Sequence, residues 1–436
     1  MSITKRTLLC ACAVSALSTA ALAQSITIAT VNNGDMIRMQ GLTDEFTAQH
    51  PDIEVNWVTL EENILRQNVT VDIATQGGQY DVMTIGTYEV PIWANQDWLL
   101  PLEFSEDYDV DDLIGPIRDG LSVDGTLYAA PFYGESSMVM YRKDLIEAAG
   151  LEMPDAPTWD FIAEAARAMT SKEDEVYGIC LRGKAGWGEN MAFLTATANS
   201  FGARWFDENW VPQFDSEPWK NTLQFYVDLM QEAGPPGSSS NGFNENLALF
   251  QTGKCGMWID ATVAASFVTN ADESDVADQV GFALAPDNGL GKRGNWLWAW
   301  SLAIPAGSDN AEAATTFVEW ATSKQYAELV AENEGWANVP PGTRTSLYEN
   351  SNYQEAAPFA QMTLDSILSA DPKNPTVDPV PYTGVQFVAI PEFQAIATAV
   401  GQQFSAALAG TMSVDDALAA AQDLTTREMT RGGYIK

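Results

Sequence analysis

Residues 25–87 alternate between a strand-like and a helical hydrophobic period, and that alternation limits the folds open to this chain. "SITIATV" (25–31) is short and β-rich, and "NNGD" follows as a turn. "MIRMQGLTDEFTAQH" then carries Met39, Leu42 and Phe46 at helical spacing until Pro51 stops the helix. "IEVNWVTL" (53–60) reads as a second strand, residues 62–76 as a second helix, and "GGQYDVMTIGT" as a third, glycine-led strand. Strand-helix-strand-helix-strand at this spacing predicts a parallel α/β sheet with right-handed crossovers. Ligands on such sheets bind beyond the carboxyl ends of the strands, which places Asn32, Asn33, Asp35, Thr87 and Tyr88 on the rim of a cleft. No G-x-G-x-x-G follows the first strand and no G-x-x-x-x-G-K-[ST] occurs anywhere, so no nucleotide cofactor is expected.

The remaining sequence is also α/β. Residues 125–150 suggest a β-hairpin, "TLYAAPF", a turn and "SMVMYRK", followed by a helix ending at Gly150. Helical patterns recur near 158–171, 187–201 and 217–233, and "GPPGSSSNG" (234–242) is the most flexible stretch. "CGMWID" is a buried strand ending at Asp260. "NWLWAW" (295–300) places Trp296, Trp298 and Trp300 at alternate positions, so in a strand all three leave one face. Core packing is the ordinary fate of such a stripe; two of the three are assigned to it, and Trp298, or else Trp296, is the candidate to reach a ligand as a stacking wall.

Composition excludes several function classes. The net charge of −37 (22 Lys plus Arg against 59 Asp plus Glu) argues against nucleic acid and anionic lipid as partners, because both need clustered cations. His50 is the only histidine, and it sits beside Pro51 at a helix end. A histidine-based triad or zinc site would have to use it, so no metal is expected. The first 23 residues read as a cleaved secretory signal: Lys5 and Arg6, an apolar run from Leu8 to Leu17, then "ALA" at 21–23. The run is too short to span a bilayer. Removal of residues 1–23 leaves Cys180 and Cys255, either bonded in an oxidising compartment or separate as buried thiols.

Three longer stretches carry a resemblance: "YAAPFYGESSMVMYRKDLIEAAGLEMPDAPTWDF" (128–161), "FQTGKCGMWIDATVAAS" (250–266) and "WLWAWSLAIPAGSDNAEAATTFVEWATS" (296–323). Together they resemble the extracellular solute-binding proteins of ATP-binding cassette (ABC) importers, sugar-type family, over the whole chain after residue 23. "TIATVNNGDMIRMQ", "YGICLRGKAGWGENMAF", "EGWANVPPGTRTSLYEN" and "DPVPYTGVQFVAIPEFQ" are similar to its sorbitol/mannitol-binding branch. The resemblance implies a two-lobed type II periplasmic binding protein fold with ligand in the inter-lobe cleft. Lobe one would be 24–132 plus 303–345, and lobe two 133–302 plus 346–436. It further implies a periplasmic monomer that delivers a polyol to an inner-membrane ABC permease, without cofactor or covalent chemistry. A sugar or oligosaccharide cargo is the alternative. An exported glycoside hydrolase or lyase is a third reading, weakened because its candidate acids would lie on opposite lobes.

A polyol is neutral, rich in donors and acceptors, and apolar along its C–H face. Its site needs flat multidentate groups and aromatic walls. Lobe one offers Asn33, Asp35, Glu62, Arg66, Thr87 and Tyr88, with Tyr133 and Glu135 at the first crossing. Glu62 and Arg66 could equally be an exposed i,i+4 pair. Lobe two offers Arg182, Trp187, Glu189 and Asn190 in "RGKAGWGEN", together with Asp260, which could instead cap a helix. Trp298, Trp336 and Arg344 complete the candidates.

Overall fold

The computed structural model describes residues 24–436; the expected signal segment lies outside the described residues. Two sheets organise the chain. The first has the order β2-β1-β3-β10-β6, with β1 Gln24–Val31, β2 Ile53–Leu60, β3 Val82–Gly86, β6 Ala129–Glu135 and β10 Trp298–Ala303. β1 pairs in parallel with β2 and β3, as the alternating pattern requires, and β10 runs antiparallel between β3 and β6. β4 Ser122–Val123 and β5 Thr126–Leu127 form a small separate hairpin. The second sheet is antiparallel, with β7 Ser137–Arg142 between β8 Met257–Ala261 and β9 Val280–Leu284.

Local sequence explains these elements. Ile26 and Ile28 of β1 and all of β3 are buried, as befits strands covered on both faces. Asn33 starts the helix Gly34–Gly41, its Oδ1 accepting the N–H of Met36 at 3.0 Å. That helix ends at Gly41 and a second begins at Thr43, so the expected single helix is two. In Glu62–Thr75, Leu65, Val69 and Ile73 recur every four residues and bury one face against the sheet.

The expected hairpin is not one. β6 ends at Glu135 in the first sheet, and β7 begins at Ser137 in the second. Ser136 is thus where the chain changes halves; its N–H donates to Thr262 Oγ1 and its carbonyl accepts the N–H of Thr262. The chain returns through residues 295–297 into β10, and residues 341–346 stay with the first half, where the Ile114 N–H donates to the Thr343 carbonyl and the Ser346 N–H donates to Asp112. There Gly134 donates to the Pro341 carbonyl at 2.9 Å, and Gly342, at φ +71°, lies so close to Gly134 that a Cβ on it would meet that backbone. The strand pairing therefore puts residues 133–135 and 298–302 with the first sheet, not with lobe two as the segment boundaries predicted.

One irregularity builds the site. The β10–β6 register slips between Trp300 and Ser301, which face Tyr133 and Pro131. Pro131 has no N–H for the ladder, and a bulge is the usual consequence. Beyond it, Trp298 lies opposite Glu135 and Trp300 opposite Tyr133. Directly opposed residues share a face, so two aromatic rings, a phenol and a carboxylate emerge together. The stretch read as flexible contains a 3-10 turn, Ser238–Ser240, and the Asn241 carbonyl accepts from the N–H groups of Gly183 and Lys184.

Candidate functional site

Between the two sheets lies a cavity with two arms. The carboxylate arm, about 80 Å³, is lined by Asn33, Glu61, Glu62, Tyr133, Glu135, Arg182, Lys184, Glu189, Asn244, Glu245 and the ring of Phe243. The tryptophan arm, about 40 Å³, is lined by Arg66, Trp187, Gly188, Ala192, Trp296, Trp298 and Gln386. Glu62, Glu135, Arg182 and Trp300 border both arms. All three tryptophans of "NWLWAW" line the second arm, and all three are also buried in the hydrophobic core, so the stripe is at once core and cleft wall.

Each cation here is already paired. Arg66 donates to Glu62 (2.8 and 3.0 Å) and to Glu89 (2.9 Å). Its guanidinium lies 4.0 Å from the ring centroid of Trp187, 4.6 Å from Trp300 and 5.0 Å from Trp298. The Glu62–Arg66 pair is thus a buried part of the wall, not an exposed helix pair. Arg182 donates to Asp260 through Nε and Nη2 (2.6–3.1 Å) and to the Gly188 carbonyl at 2.9 Å. Burial opposes its charge, but Asp260 more than compensates and raises its pKa above the ordinary arginine value. Lys184 contacts Glu61 at 2.5 Å and Glu189 at 3.4 Å.

The carboxyl groups between these pairs are strongly perturbed. Burial pushes Glu135 up to about 8; Arg182 opposes the shift, and Asp260 and Glu62 add to it. Burial and then Glu62 raise Glu189 to about 7, with Arg182 and Lys184 opposing. Tyr133 accepts a hydrogen bond from Asn33 Nδ2 at 2.7 Å and keeps its own proton to donate. Glu189 Oε2 and Trp187 Nε1 are buried and have no hydrogen-bond partner within the protein.

Of the predicted site residues, Asn33, Glu62, Arg66, Tyr133, Glu135, Arg182, Trp187, Glu189 and Trp298 meet at this cavity. The others line neither arm. Asp260 is fully buried and saturated by Arg182, the Trp258 indole N–H and the Ala261 N–H, so it anchors the arginine from behind. Asp35 pairs with Arg38 at 2.8 Å; burial raises its pKa to about 6. The Tyr88 hydroxyl donates to the Ile390 carbonyl, and its ring backs Trp187 at 4.7 Å. Thr87 is buried with its Oγ1 unpartnered. Asn190 ties Gly186 to the Gly401 carbonyl. Trp336 packs in a 3-10 turn, and Arg344 holds the carbonyls of Asp109 and Thr322 and sits over Tyr108. Trp296, the alternative to Trp298, also lines the cavity, whereas Glu61, Lys184, Phe243, Asn244, Glu245, Trp300 and Gln386 carry no sequence signal that singles them out; Lys184 is inside "RGKAGWGEN" and Trp300 inside the stripe, and Phe243–Glu245 follow the "GPPGSSSNG" loop.

Cys180 and Cys255 are joined as a disulfide, with Cα atoms 6.0 Å apart. Among the described residues, no group of three or more His, Cys, Asp or Glu side chains could hold a metal ion, and no helix is long and apolar enough to cross a membrane.

The family model described as bacterial extracellular solute-binding protein matches residues 33–328. The chain belongs to that family. This solute-binding protein is 58% identical over 415 residues, 95% of each chain, to a mannitol-binding protein of Pseudomonas aeruginosa. Its structure superimposes with a TM-score of 0.94 on an ABC transporter solute-binding protein of Agrobacterium vitis S4 solved with bound D-mannitol; that protein is 75% identical, and the match covers 95% of this chain and all of the other. A solute-binding protein of Agrobacterium radiobacter K84 in complex with ribitol shares the fold at 22% identity (TM-score 0.83, 93% of this chain and 99% of the other). The solute-binding protein has the type II periplasmic binding protein fold, and its role is binding rather than catalysis.

Proposed function

We propose that this protein captures a neutral acyclic polyol, D-mannitol first among them, in the periplasm and delivers it as a monomer to an ABC permease. The observation that carries the reading is the pairing state of the cavity. Arg66, Arg182 and Lys184 are each neutralised by carboxylates within the wall, so the cavity has no free cation for an anionic solute. Their carboxylates retain lone pairs for hydroxyl groups, Tyr133 and a protonated Glu135 supply donors, and the tryptophan rings face C–H surface. The names of the two most similar proteins described above point to the same solute.

Ligand entry requires the halves to part. The crossings at Ser136 and 295–297 are the proposed hinge, and Lys184–Glu61 and Asn63 Nδ2 to the Ala185 carbonyl (3.4 Å) are contacts made on closure. Ligand selects the closed state by its differential affinity.

Thermal shift and calorimetric titration with D-mannitol, sorbitol, ribitol, glucose and maltose test the reading. A polyol at 100 times its Kd adds ~2.7 kcal/mol, or about 3 °C for a chain of this length. Stabilisation by maltose and by no polyol would overturn it.

A further inference from the structure

Tyr88 belongs to the first half by its place in the chain and to the second half by its contacts. It follows β3, and the buried Glu89 beside it holds the turn: one carboxylate oxygen accepts the Gly86 N–H at 3.0 Å and the other accepts from Arg66 at 2.9 Å. The Tyr88 side chain is buried, yet it lines neither arm of the cavity. Its ring lies 4.7 Å from Trp187, 5.6 Å from Phe387 and 6.0 Å from Phe393. Its hydroxyl donates to the Ile390 carbonyl at 3.0 Å and accepts the Gln394 N–H at 3.3 Å. All five partners are fixed in the second half. The Arg182–Asp260 pair ties the loop bearing Trp187 to β8. Asn199 holds the Val385 carbonyl at 2.7 Å, and Phe393, which opens the helix Phe393–Leu408, packs on Trp205 at 5.0 Å.

A side chain anchored in one half and satisfied by the other leaves its socket when the halves part. Resting on the proposed closure around a solute, we infer that Tyr88 is a closure latch: its phenol seats between Trp187, Phe387, the Ile390 carbonyl and the Gln394 N–H as the halves meet, and it strengthens solute binding without touching the solute. With the halves apart, water serves the hydroxyl, the carbonyl and the Gln394 N–H, which is one of the donors that the first turn of a helix leaves unpaired. With the halves together, the same groups pair inside a buried seam that water does not fill. The free energy of that contact enters the closing equilibrium alone. Closing scales the affinity of every solute that requires it by one factor. A side chain that touches the solute changes the ratio between solutes, whereas a latch leaves that ratio as it is. Tyr88 is thus a positioning residue.

Tyr88→Phe keeps the ring and removes the hydroxyl. The test compares it with wild type by titration calorimetry with D-mannitol, sorbitol and ribitol, and by stopped-flow tryptophan fluorescence with D-mannitol. All three Kd values are expected to rise by one shared factor, about three- to tenfold, the worth of one or two neutral hydrogen bonds. The rise should lie in the dissociation rate, as it does for most changes within one interface. Ligand-free Tm should stay within about 1 °C of wild type. The wild-type chain alone gives a second reading, which a misfolded variant cannot remove: D-mannitol should slow hydrogen exchange at the Gln394 N–H about threefold or more, because its acceptor arrives only on closure. The latch is overturned by a Tyr88→Phe protein that dissociates at the wild-type rate, by a changed ratio between D-mannitol and ribitol, which would make Tyr88 a solute contact, or by Gln394 exchange that D-mannitol leaves unchanged, which would show the socket filled whether the halves are apart or together. If none of the polyols binds wild type, the polyol reading has failed and the same comparison is run with the sugar that does bind; if D-mannitol binds and the dissociation rate does not move, only the latch has failed.

Discussion

Replacing Asp260 with alanine separates anchoring from ligand contact. Asp260 is completely buried and its two oxygens accept five hydrogen bonds, three of them from Arg182. Truncation leaves the Arg182 guanidinium almost wholly buried, with only the Gly188 carbonyl at 2.9 Å and Glu189 at 3.7 Å as partners. Removing one member of a buried ion pair costs about 3–5 kcal/mol, because the remaining charge is uncompensated. Unfolding entropy near 2.1 cal/mol/K per residue amounts to about 0.9 kcal/mol/K over the described chain, so Tm should fall by about 3–6 °C without ligand. Arg182 borders both arms, so its loss of orientation should also weaken D-mannitol by tenfold or more.

Differential scanning calorimetry of wild type, Asp260→Ala and Glu135→Gln resolves this. Glu135 lies at the same junction, but burial already holds its carboxyl up at about 8, so the neutral amide resembles the form it prefers at pH 7. Glu135→Gln should leave the ligand-free Tm within about 1 °C, since isosteric replacement of a neutral group changes little. An Asp260→Ala protein that melts with wild type but no longer responds to D-mannitol would refute the reasoning; Asp260 would then be a direct ligand contact and not an anchor.

Three further outcomes follow from the same geometry. Glu135 has a folded pKa of about 8 against an ordinary value of 4.5, so its contribution to folded-state stability is present below pH 4.5 and is lost as pH rises through 8; by scanning calorimetry, ligand-free Tm should fall more steeply from pH 6 to pH 9 in the wild type than in Glu135→Gln, and equal slopes would show that Glu135 does not titrate in this range. A Cβ at Gly188 would fall on Glu62 Oε1 and the Arg66 guanidinium, so Gly188→Ala should obstruct closure and weaken D-mannitol about tenfold or more, the worth of modest overpacking, while ligand-free Tm stays put; unchanged affinity by titration would show that this loop has room to move. The Cys180–Cys255 bridge spans 75 residues, so its removal by Cys180→Ser with Cys255→Ser should cost ~4 kcal/mol and lower Tm by about 4–5 °C, and thiol titration of denatured protein lacking residues 1–23 should find no free sulfhydryl.

Much of the frame was legible in the sequence because short-range periodicity and topology agree in the first half. β1, β2 and β3 follow from alternating and continuous apolar runs bounded by turns, and their parallel pairing from the helices between them. What local pattern cannot carry is which sheet a strand joins. "TLYAAPF" and "SMVMYRK" look like hairpin arms, yet Ser136 sends them to different halves; the tie to Thr262 is 126 residues away. The same blindness affected charges. Asp260 and Glu62 look alike in sequence, but one anchors Arg182 from behind and the other lines both arms. Arg344 looked like a cleft cation and instead holds the carbonyls of Asp109 and Thr322, whereas Lys184, one position past Gly183, lines the cavity. The tryptophan stripe is legible as one face of a strand, but pattern alone cannot separate core from cleft, and here the three rings are buried and also line the cavity.

The site's charge composition explains how a chain of net charge −37 can hold a neutral solute in a cavity crowded with ions. Isolated buried charges would demand water, and stripping that water would cost more than hydroxyl contacts return. Here Asp260 fixes Arg182 and Glu89 fixes Arg66 from positions behind the cavity wall, so the desolvation cost is met within the folded halves before ligand arrives. What remains exposed to the cavity is directional: guanidinium edges, carboxylate lone pairs and a phenol hydrogen at set positions. Those groups discriminate hydroxyl geometry, because each misplaced hydroxyl leaves a buried partner unsatisfied at ~1–3 kcal/mol. Stereoselectivity should therefore depend more on Asp260 and Glu89, which do not line the cavity, than on the exposed acids that dominate the net charge; neutralising surface carboxylates far from the cleft should leave the preference between D-mannitol and sorbitol unchanged, and a titration of such a variant that reverses the preference would show that long-range field, not local pairing, sets it.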